Sequence, residues 1–180
     1  MENEPRDYQE VIDQALGLVY SHHHRFVSQL YPDRNACRPL AVEEMRRGQL
    51  GQDLKRLALL AAGSEREPKS EVLQAIDSVL QILFWPVAAE EEEFTVPRSF
   101  WDTELGRMLA LAKYRAFERG ELVSIGSAAQ QLGVTRPTIY RWMDDRTLNY
   151  VRDDMSGRTY VVRRDIEDRK TVGAEASVME

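Results

Sequence analysis

Seven side chains between Thr135 and Arg158 have the types and spacing to grip a nucleic-acid duplex. Thr135, Arg136, Thr138, Tyr140 and Arg141 crowd together, and Arg152 and Arg158 follow on either side of a short turn. Arginine binds guanine bidentately through O6 and N7, and threonine bonds base edges or touches the thymine methyl. Tyrosine and the amides at a helix start more often hold phosphate oxygens. Any one of these residues is as well explained as part of a solvated helix surface. Their arrangement carries the reading, and it depends on the elements that must hold them.

Those elements are legible in Leu122 to Arg169, LVSIGSAAQQLGVTRPTIYRWMDDRTLNYVRDDMSGRTYVVRRDIEDR. Ser124 is suited to cap a short helix over Ile125 to Leu132. Ala128 and Ala129 keep that helix thin where a second must cross it, and Gly133 ends it, because glycine adopts positive φ without steric cost. Val134 plugs the core at the turn. Thr135 then caps the next helix, with Pro137 in its first turn, where a missing N–H is harmless. Ile139 and Met143 sit four apart and face the first helix, with Trp142 at the edge. The polar residues are left near the outer face. Such a layout is a helix-turn-helix, in which the start of the second helix enters the major groove.

A hairpin signal follows. Leu148 to Arg152 and Arg158 to Val162 are rich in β-branched and aromatic residues and flank a Gly-containing turn, Asp153 to Gly157. Beside a recognition helix this hairpin is a wing, and Arg152 and Arg158 would reach phosphates or the minor groove. Asp153 and Asp154 oppose a phosphate chain unless they point away or bond the turn's own amides. Arg163 to Glu167 starts a last short helix that covers the hairpin.

With these residues on the page, the segment resembles the excisionase-type branch of the MerR-like winged helix-turn-helix domains. The matching residues are Ala128-Ala129, Leu132-Gly133-Val134, Thr138-Ile139-Tyr140-Arg141, Gly157-Arg158-Thr159-Tyr160 and Arg163-Arg164-Asp165-Ile166, in the family's order over about the last 55 residues. The resemblance implies a small bacterial or phage DNA-binding domain, of the kind used by transcriptional regulators and recombination directionality factors. One position departs from it: the family usually has glycine at the end of the recognition helix, where this chain has Arg146. The pair Asp144-Asp145 also lowers the local positive field.

The chain has 180 residues, 43% hydrophobic and 30% charged, enough to bury a core. Its 24 basic and 30 acidic side chains give a net charge of −6, which by itself disfavours a polyanionic partner. The charge is unevenly placed. Through Pro97 there are 17 acidic and 10 basic residues, a balance of −7. From Arg98 to Lys170 there are 14 basic and 11 acidic, a balance of +3, and Glu175 and Glu180 complete the total. The basic half holds the motif.

The acidic half reads as helices. Tyr8 to Leu30 carries apolar residues three, four or seven apart, and Tyr31-Pro32-Asp33 stops it. A second helix is expected over Ala41 to Ala62 despite Gly48 and Gly51, ending at Gly63. A third runs from Ser70 to Phe84 and is closed by Trp85-Pro86. The run Glu90 to Glu93 reads as a solvated linker. A fourth helix is expected from Val96-Pro97-Arg98-Ser99 to Arg119, capped by Gly120.

Other chemistry finds no footing. His22, His23 and His24 point about 100° apart on a helix and cannot converge on one ion, and helical sites use i,i+4 pairs. Cys37 has no nucleophile motif around it and no partner for a disulfide. No phosphate loop, dinucleotide fingerprint or nucleophile elbow occurs. The acidic start MENEPRDYQE is unlike a signal peptide, and no apolar run is long enough for a bilayer.

The expectation is a mainly α fold with four parts. Residues 1–97 form an acidic helical domain for dimerisation or partner binding, and 98–120 a connecting helix. Residues 121–170 form the winged helix-turn-helix with its small β-hairpin, and 171–180 a flexible tail. The expected function is sequence-specific binding of double-stranded DNA by a cytoplasmic bacterial transcriptional regulator, a homodimer without cofactor, metal or catalytic residue. The alternatives are an architectural factor for recombination or excision, and a protein-interaction adaptor whose helix-turn-helix no longer binds DNA.

Overall fold

The computed structural model of the chain describes residues 7–30, 41–84, 96–145, 147–153 and 156–178, with 172–178 as backbone alone. Within these residues the fold is mainly helical with one small antiparallel sheet, and the chain divides into two compact units, Met1–Ala112 and Lys113–Glu180. The sequence features at Tyr31-Pro32-Asp33, Cys37, Trp85-Pro86, Glu90 to Glu93, Arg146 and Asp154 lie outside the described residues.

In the first unit α1 spans Gln9–Leu30 and buries Val11, Ile12, Ala15 and Leu16. The single helix expected over Ala41 to Ala62 is two, α2 (Val42–Arg47) and α3 (Gln49–Ala62), with Gly48 extended between them. The reason lies at Gly51. There α3 turns back so closely on α2 that a Cβ would collide with the Arg46 carbonyl. Helix α4 (Lys69–Phe84) follows, packing Val72, Ala75, Ile76, Val79 and Leu80 inward. An ion-pair cluster ties α3 to α4. Arg56 clamps Glu67 through two hydrogen bonds of 3.0 and 2.7 Å and reaches Glu71 at 3.0 Å. Asp53, only 2% exposed, lies 3.7 Å from Arg56 and accepts from the Gln49 amide at 2.9 Å. The hydrogen bond with Glu67 raises the Arg56 pKa above its ordinary value, with the charges of Glu67, Glu71 and Asp53 adding to it against the opposing effect of burial.

The fourth helix is shorter than the sequence predicts. A 3-10 turn covers Arg98–Asp102, and α5 begins only at Glu104 and ends at Ala116. Thr103 makes the break: its hydroxyl donates to the Phe100 carbonyl at 2.6 Å and accepts the Gly106 N–H at 3.1 Å. Gly106 permits the fold-back, since a Cβ there would meet the Phe100 carbonyl. A second 3-10 turn, Arg119–Glu121, follows α5.

The second unit is built on β1 (Leu122–Ser124), α6 (Ile125–Leu132), α7 (Arg136–Asp144), β2 (Tyr150–Asp153), β3 (Arg158–Val162) and α8 (Arg163–Val178). The sheet order is β1-β3-β2, with both pairings antiparallel. The first strand is too short for its pattern to be read from sequence, yet it pairs Val123 with Val161. One core unites these elements: Val123, Ile125, Ala128, Ala129, Ile139, Met143, Leu148, Val161 and Ile166 are all buried. Helix α8 is longer than the short helix expected. Its backbone continues beyond Lys170 through most of the segment read as a tail.

Candidate nucleic-acid interface

Helix α6 begins as its sequence requires. The Ser124 hydroxyl accepts the Ser127 N–H at 3.2 Å, and Gly133 closes the helix at φ 65°. Val134 then bonds back to the Ala129 carbonyl at 3.0 Å and packs against the core. Thr135 precedes α7 in an extended conformation, but its side chain does not cap the helix. Pro137 explains the difference. A cap accepts from the second or third amide of the helix; the second belongs to a proline, and the third, Thr138, bonds the Thr135 carbonyl at 3.1 Å. The Thr135 hydroxyl instead lies 3.0 Å from that of Thr138.

Ile139 and Met143 turn α7 toward Ala128 and Ala129, as their spacing predicts. Thr135, Arg136, Tyr140 and Arg141 are exposed and Thr138 is half-buried. Arg136 does not project straight outward. Its guanidinium lies over Gly126, with Nη2 3.1 Å from where a Cβ would stand. The lack of a side chain at Gly126 makes room for it. Asp144 and Asp145 are exposed at the far end of α7.

The hairpin turns at Gly157, φ 67°. Its register pairs Arg152 with Thr159 and Asp153 with Arg158. Directly paired residues share a face and successive ones alternate. Arg152 and Arg158 therefore leave the ribbon on opposite faces, and the structure does not bring them together as the sequence reading did. Asp153 is buried and accepts a hydrogen bond from the Ser156 hydroxyl, a side chain of the turn itself.

Two parts of the frame were not foreseen. Tyr114, near the end of α5, stacks on Tyr160 of β3 with ring centres 5.8 Å apart. Burial, then the charge of Asp153, raises the Tyr114 pKa above its usual value. Asp165 of α8 accepts the Asn149 N–H at 2.6 Å, fixing the chain just before β2. The only advance signal for either was an aromatic or acidic residue at an element's end.

Tyr140 of α7, Ser124 and Ile125 at the start of α6, and Gly157 to Tyr160 of the hairpin line one open groove of ≈ 390 Å³. Among the described residues its walls carry two tyrosines, hydroxyls and Arg158, and no carboxylate. Of the seven side chains picked from sequence, this groove joins Tyr140 and Arg158; Arg136 lies over α6 and Arg152 on the hairpin's other face.

Among the described residues no group of three or more His, Cys, Asp or Glu side chains is placed to hold a metal ion, and no helix is long and apolar enough to cross a membrane. Compared with known proteins, the chain matches no family model, no curated protein sequence and no solved structure.

Proposed function

We propose that the second unit is a winged helix-turn-helix that binds double-stranded DNA, with α7 as recognition helix and β2–β3 as wing. The observation that carries this reading is the groove. It sets the exposed Tyr140, the start of α6 and an arginine-bearing hairpin around one channel that, among the described residues, no carboxylate lines. A sugar–phosphate strand is an anionic ribbon that meets phenol, hydroxyl and guanidinium donors as it leaves the major groove. Helix α7 then offers Thr135, Thr138 and Arg141 to base edges, with Arg141 the reader of guanine. Arg158 anchors a phosphate from the wing. Arg152, on the opposite face, reaches the neighbouring groove or its backbone. Arg136 holds a phosphate beside α6 or swings out to a base.

In this reading the protein is a regulator of transcription working on DNA in a bacterial cytoplasm. One observation favours the adaptor instead. Residues 113–180 hold 12 basic and 11 acidic side chains, a balance of only +1, and Asp144 and Asp145 stand exposed at the end of α7. Selection of bound fragments by the full chain from a random duplex pool decides between them. Enrichment of one motif supports the regulator; a pool recovered without enrichment supports an architectural role. A pool from which nothing is retained at low salt leaves the adaptor.

A further inference from the structure

We infer that the last three turns of α1 form a two-fold interface with a second copy of this chain. Helix α1 changes character along its length. Up to Leu16 its apolar face is buried, with α2 and α3 packed against the helix. Beyond that point the same face continues into the open: Leu18, Phe26 and Leu30 are 52, 49 and 56% exposed. At 3.6 residues per turn, Phe26 and Leu30 fall within the arc spanned by Val11 and Ile12, so they extend the core stripe itself.

The pattern of the stripe selects its occupant. Leu18, His22, Phe26 and Leu30 stand at intervals of four and read alike in both directions: aliphatic, ring, ring, aliphatic. Two such helices laid antiparallel about residue 24 pair Leu18 with Leu30 of the second copy and His22 with its Phe26. A two-fold interface requires this self-complementarity, because the same patch serves both subunits. Charge argues the same way. Between Gly17 and Leu30 there is no carboxylate, and Arg25, the one permanent charge, lies to the side of the stripe. A basic partner finds nothing to pair with there, and an acidic one little.

The area sets the strength. Each half-exposed Leu or Phe offers on the order of 100 Å², so the three supply roughly 600 Å² over both copies before their neighbours add to it. That is below the ~1,200–2,000 Å² of a standard interface, so the association is weak and depends on concentration.

Sedimentation equilibrium of the full chain over a wide concentration range at mildly alkaline pH tests this without DNA. The mass should climb from 20.8 kDa toward twice that value. Phe26→Glu and Leu18→Glu should each hold it at the monomer with an unchanged melting temperature, and Ser28→Glu, on the far face, should leave association intact. A wild-type mass that stays at the monomer, or a dimer that survives both stripe substitutions, overturns the inference. Register has its own check in a Cys37→Ser background. A Leu18→Cys chain mixed with a Leu30→Cys chain should form the mixed disulfide in preference to either symmetric one, whereas symmetric disulfides would overturn the antiparallel pairing.

Discussion

The guanidinium of Arg169, on α8, lies 4.3 Å from the centre of the Trp142 ring, on α7. Its Nη2 also donates to the Thr147 carbonyl at 3.1 Å, just past the end of α7. Helix α7 is thus held from behind, on the side away from its exposed polar residues, by a helix that begins only after the whole hairpin has intervened. Arg169→Ala removes both contacts and should lower stability by about 1 kcal/mol. In the DNA-binding reading it should also weaken all duplexes alike, because it loosens the recognition helix without touching a base. Thermal melting and binding to matched and mismatched duplexes check the two halves, and a changed sequence preference would show that Arg169 itself meets the DNA.

Reader and anchor should separate by substitution. Arg141→Ala is expected to relax preference at one position, at about 1–3 kcal/mol if its partner is guanine. Arg158→Ala should weaken every duplex and reduce the salt slope by about one. Competition binding at several salt concentrations distinguishes them, and an Arg158→Ala protein with altered preference and an unaltered slope would reverse the roles.

The raised pKa of Tyr114 sets a limit at high pH. The fold favours the neutral phenol, so its stabilising effect is whole below the ordinary phenol pKa of about 10. It is lost as pH rises from there through the higher folded value. Tyr114→Phe keeps a ring against Tyr160 and removes the titration. Melting of the variant should fall less steeply above about pH 10 than melting of the wild type, and equal slopes would count against a half-buried, charge-opposed phenol.

Arg56 is the hub of the first unit. Arg56→Met strands the buried carboxylate of Asp53 and the half-buried one of Glu67, which loses two hydrogen bonds. Removing one partner of a well-buried pair costs about 3–5 kcal/mol; Arg56 is 36% exposed, so solvent screening brings the expected loss to about 2 kcal/mol. Denaturant unfolding measures it. A loss confined to a few tenths would mean that water replaces the guanidinium.

What could be read in advance was local. Ser124, Gly133 and the Ile139–Met143 spacing define α6, its end and the inner face of α7 within a few residues of one another, and all three are as expected. The hairpin, signalled by Gly157 between two β-rich runs, is likewise local. What escaped depends on distant partners or on competing local bonds. Strand β1 exists because Val123 meets Val161, and the frame is closed by Tyr114 with Tyr160 and Arg169 with Trp142. The break at Thr103 and the fold-back at Gly51 follow from close backbone approaches that a helical pattern conceals. For the side chains proposed to meet DNA, the sequence shows type and spacing but not face: strand register divides Arg152 from Arg158, and Gly126 draws Arg136 across α6.

The central claim is that Lys113–Glu180 grips DNA through exposed donors on α7 and the hairpin. Its most direct test is a salt titration of the full chain on its best duplex from a random pool. Counterion release makes log affinity fall linearly with log salt, at a slope of about −0.9 for each phosphate neutralised. With Arg136, Arg152 and Arg158 at phosphates, the predicted slope is roughly −2 to −4. Binding that is undetectable for every duplex at low salt, or an affinity indifferent to salt, would contradict the account.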